Sequence, residues 1–177
     1  MKKLTKMFVG VFIAVLLATS AIAATNTTNT VSTAAPEAWT LTLGGVGSTT
    51  TSGNSQSAFG VDVSVGHTGH LVLPLEAGVR QSVSYASPNG GSTVLSTKLY
   101  SDWTLLKVSK LDIFAGGNVG LAYGNQPLVW TAAPEVGTRL WLKKDVAVVG
   151  RVEYPFNLND GKSGNTLLYS VGVLVKF

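Results

Sequence analysis

From Trp39 to Phe177 apolar residues recur at every second position, and the charged residues of these segments fall between them. A helix repeats every 3.6 residues and a strand every two, so the pattern selects strands. One face holds Trp39, Leu41 and Leu43; then Phe59, Val61, Val63 and Val65; then Leu71, Leu73, Leu75, Ala77 and Val79. It continues through Leu95, Thr97, Leu99, Ser101, Trp103 and Leu105, and through Leu111, Ile113, Ala115, Gly117, Val119, Leu121 and Tyr123. Val136 to Leu142, Val146 to Phe156 and Leu167 to Phe177 complete it. These eight segments approach the 9 to 11 residues that a tilted strand needs to cross a bilayer. Every charged strand residue, namely Asp62, Glu76, Arg80, Lys98, Asp102, Asp112, Glu135, Arg139, Arg151, Glu153 and Lys176, lies on the opposite face. A charge at the midplane of a barrel's lipid face costs roughly 2–4 kcal/mol for Lys or Arg, so in a membrane the apolar face must look outward.

A soluble barrel of lipocalin or avidin type would show the same alternation with the faces exchanged. Three further features favour the membrane. Charged residues make up only 12% of the chain and mean hydropathy is +0.30, against roughly a quarter charged in ordinary soluble domains. The aromatics sort to the strand ends as interfacial girdles do: Trp39, Trp103 and Phe177 at one end, Phe59, Tyr85, Tyr123, Trp130, Tyr154, Phe156 and Tyr169 toward the other. The connections sort as well. His67-Thr68-Gly69-His70, Lys107-Val108-Ser109-Lys110 and Lys143-Lys144-Asp145 read as tight turns; Ser48–Ser57, Ser87–Ser92, Gly124–Pro127 and Asn157–Asn165 read as mostly longer polar loops. Short periplasmic turns and longer outer loops characterise outer-membrane barrels.

The N-terminus reads as a secretory leader. Lys2, Lys3 and Lys6 precede an apolar run from Met7 to Ala18, and Ser20-Ala21-Ile22-Ala23-Ala24 offers a small-residue cleavage site, expected after Ala23. The run is too short for a spanning helix, which needs about 20 residues. Its removal takes three of the lysines behind the formal net charge of +4, so the basic balance gives no support for nucleic-acid binding. Residues 24–38, rich in Ala, Thr, Asn and Ser, read as a flexible periplasmic linker, and 39–177 as the barrel. With no cysteine there is neither a lipid attachment site nor a disulfide framework.

The last eight residues resemble the C-terminal signal read by the outer-membrane assembly machinery. Ser170, Gly172 and the terminal Phe177 match it, while Val175 is aliphatic where an aromatic is frequent. The region from Trp39 onward resembles the small eight-stranded barrels of OmpA and OmpX type. The likeness is to the barrel alone, without the periplasmic domain that follows it in OmpA. It implies an all-β, antiparallel up-and-down transmembrane barrel in the outer membrane of a Gram-negative-type envelope, in contact with lipids including lipopolysaccharide.

Eight strands enclose a lumen just wide enough for side chains to fill. Six acids and five bases fall on the inner face. A turn pairing Leu142 with Val146 sets Glu135 opposite Glu153, and a turn centred on Gly69 sets Asp62 opposite Glu76. Carboxylates so placed need a cation between them. The expectation is that Arg139 and Arg151 reach Asp62, Glu76 and Asp102, while Arg80 and Lys98 serve Glu135 and Glu153, plugging the lumen. Separate solvated charges in a wet lumen are the alternative.

Some barrels of this size modify lipid A with Ser and His, and nucleophilic catalysis needs a base within reach of the hydroxyl. His67 and His70, the two histidines, fall at an expected periplasmic turn, so no enzyme is expected. The His67-x-x-His70 pair lacks further metal ligands, and Gly117-x-x-Gly120 and Gly44-Gly45-x-Gly47 lack the helix of a phosphate loop. No cofactor, metal or nucleic-acid partner is expected. What remains is a surface barrel acting through its loops, whose partner the sequence does not name, or a narrow pore for ions or small solutes.

Overall fold

A computed structural model describes residues 37–50, 57–86, 91–124, 127–159 and 166–177. The leader, all but the end of the linker, and the central residues of the loops, Asp160 and Lys162 among them, lie outside the described residues. The strands are β1 (Ala38–Thr50), β2 (Ser57–His70), β3 (Pro74–Ala86), β4 (Ser92–Val108), β5 (Leu111–Gly124), β6 (Val129–Lys143), β7 (Val146–Glu153, resumed at Phe156–Asn157) and β8 (Thr166–Lys176). Each pairs antiparallel with its neighbours in the chain, and β1 pairs with β8, so an eight-stranded sheet closes into a barrel with no free edge.

The strands follow from the period-two pattern, and the closed ladder satisfies their backbone polar groups. Val61, Leu43, Leu99, Val136 and Val171 stand exposed on the outer surface, whereas ten of the eleven strand charges are buried inside and Lys176 is half-buried. The apolar interior is a small cluster of Phe114, Ala147, Val149 and Leu174 with Trp141 packed against it, near the turn end.

Several details differ from the sequence expectation. The first turn lies at Leu71–Leu73, not at His67–His70: β2 continues through His70, and His67 pairs with Ala77. Apolar residues in a turn tip mimic the start of a strand, which is why the pattern misplaces it. The shift carries Asp62 opposite Ser82, and Glu76 opposite Thr68 and Asp102. β1 runs through Ser48 to Thr50, shortening the first loop. β7 is interrupted at Tyr154–Pro155, where proline cannot donate to a ladder. Bulges between Thr104 and Leu106 and between Trp141 and Lys143 shift the register near two turns. The second pairs Lys143, not Leu142, with Val146, yet Glu135 still faces Glu153.

Candidate functional site

The lumen brings together groups that are far apart in sequence. At its middle, Arg80 of β3 bridges two carboxylates: Nη1 donates to Glu135 Oε2 at 2.9 Å and Glu153 Oε1 at 2.7 Å, and Nη2 donates to Glu135 Oε1 at 3.1 Å. Lys98 Nζ donates to Glu153 Oε2 at 2.6 Å. Asn118 Nδ2 donates to both carboxylates, at 2.8 and 3.1 Å. Glu135 and Glu153 are direct partners on β6 and β7. Like charges opposite each other destabilise a strand pair, and here one guanidinium and one ammonium from the far wall offset that repulsion.

A second cluster lies nearer the turns. Arg139 Nη2 stands 3.1 Å from Glu76 Oε2 and 3.6 Å from Asp102 Oδ2. Its Nη1 donates to Thr104 Oγ1 at 3.3 Å, and its guanidinium lies over the Phe114 ring, 4.3 Å from the centroid. Glu76 Oε1 also accepts from Thr40 Oγ1 at 3.0 Å and from the Tyr100 hydroxyl at 2.8 Å. Tyr100 links the clusters, because its ring lies 4.6 Å from the Arg80 guanidinium. Below, Trp141 Nε1 donates to Asp112 Oδ2 at 2.8 Å while Lys176 Nζ sits 4.5 Å from the Trp141 ring centre.

Arg151 does not take the place expected for it. Among the described residues it has no carboxylate within ion-pair distance, and its Nε and Nη1 are buried without hydrogen-bond partners. Independently of Arg151, the displaced first turn moves Asp62 six positions along β3 from the register that a Gly69 turn would impose. Period-two reasoning about charges also passed over neutral inner-face groups. Tyr100, Asn118, Phe114 and Thr40 all sit at inward positions, and extending the parity count to uncharged residues would have found them. Lys107 is different. The bulge at Thr104/Leu106 turns it inward opposite Asp112, so simple parity could not reach it.

The aromatics mark the two ends of the barrel, Phe156 among them also bordering the loop-end cavity. Trp39 packs edge-on to His67 at 5.1 Å at the turn end, where Trp103 pairs with Leu75 and Phe177 is exposed. Toward the loops Phe59 meets Tyr85 at 6.5 Å and Tyr154 meets Phe156 at 5.2 Å. Tyr123 accepts from Gln81 Nε2 at 3.1 Å, and Trp130 and Tyr169 are exposed. At the C-terminus, Ser170 faces Arg151, Gly172 faces Gly44, Val175 faces Leu41, and the Phe177 backbone exchanges two 3.0 Å hydrogen bonds with Trp39. His70 Nδ1 lies 3.2 Å from the Leu71 carbonyl, and no histidine–serine hydrogen bond occurs among the described residues.

Solved structures with similar folds include Neisserial surface protein A (NspA), 14% identical, the match covering 81% of this chain and 100% of that one at a TM-score of 0.56. The fold is that of a transmembrane β-barrel. Two designed proteins also match: a de novo transmembrane β-barrel at 16% identity (78% of this chain, 95% of that one, TM-score 0.41) and TMB2.3 at 18% (79% and 95%, TM-score 0.36). No family model matches the chain, and neither does any curated protein.

Proposed function

We propose that this chain is an outer-membrane barrel of a Gram-negative-type envelope, of the small OmpA/OmpX kind, that serves as a structural or surface-interaction scaffold through its loop end. The lumen is plugged and does not conduct. The observation that carries this reading is the Arg80–Glu135–Glu153–Lys98 network, which spans the lumen between a cavity of about 250 Å³ toward the loops and one of about 30 Å³ toward the turns. An isolated ion pair of this kind need not stabilise, but a chain of them reaching from wall to wall supports a lumen that ions do not cross. Residues 1–23 direct export, residues 24–38 are a periplasmic linker, and Ser170, Gly172, Val175 and Phe177 are read by the assembly machinery. The outer face contacts lipid, including lipopolysaccharide, and the loops meet a partner whose chemistry they do not declare. No catalytic role is assigned.

Planar-bilayer recording tests the plug. Little or no conductance is expected from the unmutated protein; a steady large conductance would replace this reading with that of a narrow pore. Fractionation with heat-modifiable gel migration tests the location, and recovery as a soluble periplasmic protein would overturn it.

A further inference from the structure

The loop-end cavity of about 250 Å³ has a charged floor and largely apolar walls. Four charged side chains line it: Asp62, Arg80, Lys98 and Glu153. Arg80, Lys98 and Glu153 are tied to one another by contacts of 2.6 and 2.7 Å. Asp62 is not. The residue is 3% exposed, it makes no ion pair or hydrogen bond among the described residues, and its Oδ1 is buried without a partner. Arg151, the charge that attracts it most strongly, is not part of the lining and gives it no hydrogen bond.

The wall is shaped to keep this carboxylate where it is. A Cβ at Gly44 would fall 2.8 Å from Asp62 Oδ1 and 2.9 Å from the Gly172 Cα, so only glycine leaves the carboxylate room against β1 and β8. A buried carboxylate without donors is costly, and one bordering a cavity can recover that cost from an occupant. The occupant must bring a positive donor for Asp62 and an apolar body for the walls, to which Val46, Val94, Pro155, Phe156 and Leu168 contribute. A cavity of about 150 Å³ holds benzene, so this one accommodates a six-membered ring with a short arm.

We propose that the loop-end cavity binds a small organic ammonium ion, its charged nitrogen on the Asp62 carboxylate and its apolar body against the mouth of the barrel. The site is independent of whether the lumen conducts, since it lies on the loop side of the ion-pair network.

The test uses the full chain folded in detergent micelles and titrated by calorimetry with benzylammonium and, separately, with benzyl alcohol, its neutral counterpart. Saturable binding of benzylammonium at least tenfold tighter than benzyl alcohol is expected, because hydrogen bonds to charged groups are the stronger kind. Asp62→Asn should erase that preference while retaining heat-modifiable migration. Equal affinity for the two compounds, no saturable binding, or an unchanged preference in Asp62→Asn overturns the proposal. Should Asp62→Asn fail to fold, Ala122→Phe, which fills the cavity from β5, decides: loss of benzylammonium binding supports the site, and undiminished binding overturns it.

Discussion

Placing arginine at Leu43 separates a lipid-facing surface from a water-facing one. Leu43 pairs with Val63 on β2 and with Val173 on β8, and this row lies midway between the aromatic ends. Along β1 it is four residues from Trp39 and four from Gly47, the partner of Tyr169; along β2, Val63 is four residues from Phe59 and four from His67. Four residues rise about 13 Å along a strand, or about 10 Å along the barrel axis at a tilt near 40°. The row therefore sits close to the centre of an apolar band about 25 Å tall. Leu43 is 61% exposed, so arginine meets no packing obstacle and its cost reports the surrounding medium. In lipid, Leu43→Arg should destabilise by about 2–4 kcal/mol, about 30- to 900-fold in the folding equilibrium. Trp39→Arg, at the band's edge, should lose only about 0–1 kcal/mol to its charge. A surface bathed in water would tolerate Leu43→Arg within about 0.5 kcal/mol. Reversible guanidinium unfolding in lipid vesicles, followed by tryptophan fluorescence, measures the difference. A loss under 0.5 kcal/mol at Leu43 would refute the lipid contact of the apolar face.

Arg80→Ala should destabilise the barrel by about 3–5 kcal/mol in the same assay, because Glu135 and Glu153 are then left facing each other with one of their two cations gone; a loss below 1 kcal/mol would show that the network contributes little. Phe114→Ala should cost about 3–5 kcal/mol, since the ring is fully buried between the apolar cluster and the Arg139 guanidinium, and an unchanged unfolding midpoint would mean that the lumen collapses freely around the gap.

How far the sequence discloses this molecule depends on the range over which a local rule holds. Alternation is local and repeats in every strand, so fold class, strand number and the inward face of all eleven charges were legible. Register is not local, because it depends on where each turn falls. The pairing of Glu135 with Glu153 could be read because Lys143-Lys144-Asp145 is polar and unambiguous, and the bulge at Trp141/Lys143 leaves that pairing intact. The pairing of Asp62 could not. Leu71-Val72-Leu73 is an apolar turn tip that looks like strand, while His67-Thr68-Gly69-His70 is a polar strand end that looks like turn. One misplaced turn was enough to set Asp62 opposite Glu76, a partner that it does not have.

The bulge at Thr104/Leu106 shows what such irregularities accomplish. Counted by strict alternation, the lumen holds six acids against five bases. The extra residue reverses the parity of the last turn of β4, sending Leu106 outward opposite Ile113 and Lys107 inward opposite Asp112. With Lys107 included, the inner face carries six bases against six acids, Lys107 itself lying exposed at the turn end. A narrow lumen bordered by lipid has little counter-ion atmosphere to balance an excess charge, which favours a base within the protein for each inner-face acid. Neutrality of the whole does not require contact between every pair, however. Arg80, Lys98 and Arg139 sit on carboxylates, whereas Asp62 and Arg151 balance only through space. That leaves Asp62 chemically unsatisfied at the border of the loop-end cavity, whereas Glu153, the other buried carboxylate there, is held by Arg80 and Lys98.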